Sequence, residues 1–163
     1  MISDRPLTAD ELEQFERYRD TGFEHLGMSA RASPKLIVQA IDEYVVQWQA
    51  KNRGFAAMLR SRPDSVEPAR ALAVVWGDQI VRHFDWHWTC EVRSGEERYA
   101  VCSANRSLII YPPQFIHDCM HNPKMDCTVM LAFNMQEAGN FTGFEARAYV
   151  DVMSGIRRIV PRR

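Results

Sequence analysis

The feature that most constrains this chain is a change of hydrophobic period at residue 86. Upstream, Leu72, Val75, Trp76, Ile80 and His83 or Phe84 recur every three to four residues, the spacing that keeps side chains on one face of a helix. Downstream, Trp86, Trp88, Cys90 and Val92 alternate with His87, Thr89, Glu91 and Arg93, which is the period of a half-buried strand. A helix opened by Pro68 therefore runs almost directly into a strand. Ser94-Gly95-Glu96-Glu97 reads as a hairpin turn, Tyr99, Val101 and Ser103 mark a second strand, and residues 107–111 a third. Links this short exclude parallel crossovers between these strands, which need about a dozen residues.

Two helices precede this block. Thr8-Ala9-Asp10-Glu11 has the capping-box pattern, followed by Leu12, Phe15 and Tyr18. Ser33-Pro34 places a cap before a first-turn proline. Leu36, Ile37, Ala40, Ile41, Tyr44, Val45 and Trp48 then share one face of a helix expected to reach about residue 59. After the third strand, Pro112-Pro113 starts a short helix stopped by Asn122-Pro123. Residues 127–133 are apolar on both sides and are expected to form a covered fourth strand. Residues 134–143 read as a helical turn and loop, and residues 144–153 as a last helix. The expected architecture is α+β, with N-terminal helices on one face of a small, mainly antiparallel four-stranded sheet. One domain is expected over residues 1–163: a helical part (1–66), a helix plus sheet (67–155) and a basic tail (156–163).

Composition sets outer limits. With 163 residues, 46% hydrophobic and 25% charged, the chain can bury one ordinary core. A formal net charge of −1 argues against coating nucleic acid or an anionic membrane. The polar start predicts no secretory leader, and no apolar run approaches the ~20 residues of a membrane span. Cys90, Cys102, Cys119 and Cys127 form no CxxC pair and sit in apolar patterns, as reduced buried thiols do. These features predict a cytoplasmic protein.

Chemistry-bearing motifs are sparse. His117 and His121 are four apart on the expected short helix, the spacing at which two imidazoles can share a zinc ion. His83 and His87 repeat the spacing across the helix-to-strand change. Asp118 is a poor substitute for the glutamate of HExxH, so neither metal nor cofactor is assigned. No phosphate loop or nucleophile elbow is present, and buried thiols lack a cation to activate them. The acid pairs Asp42-Glu43 and Glu96-Glu97 fall where solvent is expected. Trp86 and Trp88 can cover the helices or form a stacking ridge. The near-neutral charge favours the first, leaving His87 and Glu91 to face outward. Charge is bipolar: residues 10–24 hold six acids, and the last seven residues four arginines.

Three stretches carry a resemblance: residues 72–88, including Trp76-Gly77 and Trp86-His87-Trp88; residues 100–112, ending in Tyr111-Pro112; and residues 131–139. Together they are similar to small bacterial α+β domains of the kind found among immunity proteins of polymorphic toxins and type VI secretion. The likeness covers roughly residues 70–140 and consists of core and turn positions, so it implies no catalytic residue. What it implies is a non-enzymatic, cytosolic protein that occludes the active site of a cognate toxin, without contacting nucleic acid or membrane. His87, Glu91, Glu96 and Glu97 are the expected partner-binding residues, with the acids of residues 10–24 as competitor. The other readings are a metal-dependent hydrolase using His117 and His121, and an effector chaperone or adaptor.

Overall fold

The computed structural model describes residues 2–52, 66–122, 125, 128–139 and 143–153. In chain order they form β1 (Ile2–Arg5), α1 (Ala9–Leu26), α2 (Pro34–Lys51), α3 (Val66–Phe84), β2 (His87–Arg93), β3 (Glu96–Cys102), β4 (Leu108–Ile110), α4 (Pro112–His121), α5 (Val129–Ala138) and β5 (Val150–Asp151). The fold is α+β. None of these helices is long and apolar enough to cross a membrane.

Local chemistry explains most boundaries. Thr8 caps α1 reciprocally: its hydroxyl accepts from the Glu11 amide, and the Glu11 carboxylate accepts from the Thr8 amide. Gly27, at φ 59°, ends α1 in the left-handed conformation. Pro34 opens α2 as expected, although Ser33 makes no side-chain cap bond. The described part of α2 ends at Lys51, so the expected extension to residue 59 lies outside the described residues. Ser94 and Gly95 both have positive φ, the requirement of a two-residue primed turn, so β2 and β3 pair in a tight hairpin from Arg93↔Glu96 to His87↔Cys102.

The sheet departs from expectation in number and direction. It has five strands in the order β1-β2-β3-β4-β5, antiparallel except for the parallel β4–β5 pair. The expected fourth strand at residues 127–133 is instead helical from Val129. Thr128 caps α5 by accepting from the Leu131 amide, and Asp42 of α2 accepts from the Met130 amide. A run apolar on all sides suits a buried helix as well as a buried strand, and here the cap decides. The helix expected over residues 144–153 is not formed over 144–151. Its backbone turns at Arg147 and Tyr149, both at positive φ, and residues 150–151 pair with β4. β1 was not anticipated, and it adds an edge strand beside β2.

α3 is the centre of the helical layer, packed between α1, α2 and α4. Its Trp76 is fully buried and meets the Phe115 ring at 4.8 Å; Phe133 of α5 is fully buried too. Trp86 and Trp88 pack on this core but stay half-buried, less enclosed than the alternation implies. The opposite face of the sheet carries a second apolar cluster, Ala100, Cys102, Ile109 and Tyr149.

Candidate functional site

Register sorts the polar residues by face, because directly paired residues project to the same side. Arg5, Cys90 and Tyr99 line up across β1, β2 and β3 and face the helices. Asp4, Glu91 and Arg98 line up on the opposite, outer face, as do His87, Cys102 and Ile109.

The outer face is covered rather than open. Glu91 has no exposed surface, and its carboxylate oxygens lie 3.0 Å from Arg93 and 2.8 Å from Arg98. Arg98 in turn lies 4.7 Å over the Tyr111 ring. Burial, and then the Glu91 charge, push the Tyr111 hydroxyl well above the usual phenol range. The expectation that Glu91 looks outward to a partner is thus corrected. Alternation identified its face, but not the two arginines that fold over it.

Beside this row stands a second charged cluster. Arg106 Nε lies 2.8 Å from both Asp4 oxygens, Tyr149 donates to Asp4 Oδ1 at 2.6 Å, and Thr89 donates to Oδ2 at 3.0 Å. Burial works to raise the Asp4 pKa, but the bonds from Tyr149, Arg106 and Thr89 together hold it below 3.8. His87 is half-buried with its Nε2 enclosed, and burial, aided by the Arg106 charge, lowers its pKa. Cys102 pairs across from it, but burial pushes that thiol up to about 12. A thiol so held is protonated at neutral pH and is no nucleophile.

On the helix face, Glu11, Cys90 and Glu97 bring their ligand atoms within 4.8 Å of one another, a spacing a metal ion could use. The positive charge there is already supplied by Arg5, which donates to Glu11 at 2.8 and 2.9 Å and to Glu97 at 2.7 Å. Arg5 holds the Glu11 carboxyl down to about 2, against the opposing effect of burial. A guanidinium satisfied by two carboxylates fills the role of the cation, so these residues do not fit a metal.

Of the four expected partner-binding residues, His87, Glu91 and Glu96 share the outer face, whereas Glu97 pairs with Val92 and faces the helices. Glu96 and Glu97 are both exposed, but Glu97 is engaged by Arg5. The four do not form one open acidic patch. His117 and His121 do come together, their rings stacked with centroids 4.2 Å apart and 23° between planes. His121 Nδ1 lies 2.7 Å from the His117 carbonyl oxygen and so carries the proton. In-plane lone pairs of two nearly parallel rings do not converge on one ion.

The competitor surface is better formed. Asp10, Glu13, Glu16, Asp20 and Glu24 are all exposed on α1, three or four residues apart and therefore along one side of the helix. The ridge runs for about 21 Å at 1.5 Å per residue. Arg17 neutralises one of its members, pairing with Glu13 at 3.2 Å. No protein-family profile, curated protein or solved structure matches this chain.

Proposed function

We propose that the chain is a binding protein without catalytic activity, acting as a cytosolic immunity protein that occludes the active site of a cognate secreted toxin. The observation that carries this reading is the acidic ridge of α1, where five carboxylates face solvent on a rigid helix. Enzymes that act on nucleic acid have basic clefts, and a preformed acidic ridge of this length complements one in charge and shape. An inhibitory interface needs about 800 Å² from each partner, which α1 and its flanks can offer. Glu91 is buried and Glu97 is engaged by Arg5, which leaves Glu96 as the one uncommitted acid of the expected set, so the docking role passes from the hairpin to α1. The alternative of a hydrolase on His117 and His121 gains no support from their stacked geometry.

The test is co-expression with candidate secreted toxins, the products of adjacent genes first, together with a measured affinity for each. Charge reversal at Glu16, Asp20 and Glu24, beyond the first turn of α1, is expected to abolish protection and weaken binding while leaving thermal stability intact. Reversal at Glu96 and Glu97 is expected to change binding little. The opposite ranking moves the interface to the hairpin, and an absence of binding to any of these toxins overturns the reading.

A further inference from the structure

We infer that a groove between α1, α3, β3 and α4 binds a small aromatic carboxylate, a site independent of the acidic ridge. Two cavities, of about 280 and 370 Å³, share Tyr99 and Pro113 in their linings. Each is at the small end of ligand sites, which suits a ligand of one or two rings.

The larger cavity separates its chemistry by position. Its floor is Phe15, Val74, Tyr99 and Pro113, with Phe15 and Tyr99 in edge contact at 5.1 Å. Such walls favour a flat ring, which can meet both edges and faces of its neighbours. Its rim is Gln14, Tyr18 and Arg70. Gln14 Nε2 and Arg70 Nη1 each lie 3.5 Å from Tyr18 Oη, so the phenol oxygen receives both and its own O–H is left to donate.

The rim therefore presents three kinds of donor around a shared point. Among the described residues Arg70 has no carboxylate partner, unlike Arg5, Arg19, Arg93, Arg98 and Arg106. The lining of this cavity holds no anionic acceptor, and a carboxylate supplies two charged oxygens in the plane that a guanidinium fork matches. A dianion such as phosphate is disfavoured, because Glu11 reaches the same neighbourhood through its bond from Tyr99 at 3.2 Å.

The experiment is a titration of the full chain with 2-naphthoate, 2-naphthamide and inorganic phosphate, followed by backbone amide NMR. The expected result is saturable binding of the naphthoate at about 1 mM or tighter, which is modest for a ligand of that size. Shift changes should cluster at Gln14, Tyr18, Arg70 and Tyr99. The neutral amide and Arg70→Gln should each weaken binding by about tenfold or more, the worth of one charge-assisted bond. Should Arg70→Gln melt lower than the wild type, Gln14→Leu tests the same rim. No saturation by about 10 mM, equal affinity for the amide, tighter binding of phosphate, or unchanged affinity in the rim variants overturns the proposal. Reversing the α1 acids should leave naphthoate binding in place, so this site and the toxin-binding role fail separately.

Discussion

The Trp88 indole occupies the space that a side chain at residue 77 would need. A Cβ built on Gly77 overlaps its six-membered ring. The indole nitrogen donates to Asp78 at 2.9 Å, and Arg19 of α1 holds the same carboxylate at 2.6 Å. One glycine thus lets β2 close onto α3, and the next residue ties that contact to α1. This gives the Trp76-Gly77 dipeptide a physical reason: Trp76 enters the core while its neighbour makes room for a second tryptophan.

Gly77→Ala is therefore expected to destabilise the protein, although alanine is the better helix former. Overpacking of this kind costs about 1–3 kcal/mol, against the ~1 kcal/mol that alanine gains in helix propensity. Chemical denaturation should show a lowered midpoint. An unchanged or raised midpoint would mean that Trp88 does not sit on α3.

Much of this arrangement was legible in the sequence, and the reasons are local. The change of period at Trp86 marked where α3 gives way to β2, Thr8-x-x-Glu11 marked the start of α1 through its capping box, and Pro34 marked that of α2 through its fixed φ. Alternation also placed Trp88 and Glu91 on opposite faces correctly. Elements held by distant partners were hidden. β1 is four residues long, and its partner β2 lies far along the chain. β5 is two residues long and takes its direction from β4. Glu91 was misjudged for the same reason, since its face could be read but not the arginines that close over it. Asp4, Arg106 and Tyr149 had no motif at all, because they meet only once β1, the β3–β4 turn and the last strand are assembled.

Glu91 offers a sharp test of that closure. A fully buried carboxylate that loses its charge leaves two guanidinium groups crowded without a counter-ion. Removing one partner from a buried pair costs about 3–5 kcal/mol. Arg93 and Arg98 each keep some exposure and can turn to solvent, so a loss of about 2–3 kcal/mol is expected for Glu91→Gln. Replacing the exposed Glu96 in the same way should change stability by less than ~0.5 kcal/mol. Equal effects of the two substitutions would mean that Glu91 is exposed in solution.

Acid should weaken the contact between β1, α1 and β3. Glu11 titrates near 2 in the folded chain against about 4.5 when free. A carboxyl with a depressed folded pKa binds its proton more readily in the unfolded chain. Its contribution is complete above the unfolded value and is lost as pH falls towards the folded one. Stability should decline between about pH 4.5 and 2, and Glu11→Gln should flatten that part of the profile. At neutral pH the same change should cost about 1–2 kcal/mol, the worth of a charge-assisted bond discounted for partial exposure. An unaltered acid limb in the variant would remove Glu11 from this role.

Asp4 joins the two ends of the described chain at a backbone corner that is itself strained. Arg106 and Tyr149, which both grip its carboxylate, have φ of 60° and 46°, and Arg147, two residues before Tyr149, has 60°. Non-glycine residues resist this left-handed region by about 1–2 kcal/mol each. The corner persists because other bonds over-determine it: the Tyr149 amide donates to the Arg106 carbonyl at 3.1 Å, and the Val150 amide to that of Ser107 at 2.8 Å. Two substitutions at Arg106 separate the side-chain bond from the backbone cost. Arg106→Ala loses the pair with Asp4 and keeps the strain, whereas Arg106→Gly loses the pair and relieves the strain. The glycine variant is expected to be the more stable of the two by about 1 kcal/mol, although glycine is normally the costlier residue. Both should be less stable than the wild type, because each leaves the nearly buried Asp4 carboxylate short of its cation. Asp4→Asn should erase the difference between wild type and Arg106→Ala to within about 0.5 kcal/mol, as a double-mutant cycle requires of a direct pair. If the alanine variant proves the more stable, residue 106 does not adopt the left-handed conformation. If Asp4→Asn leaves the Arg106→Ala cost unchanged, the guanidinium holds something other than Asp4.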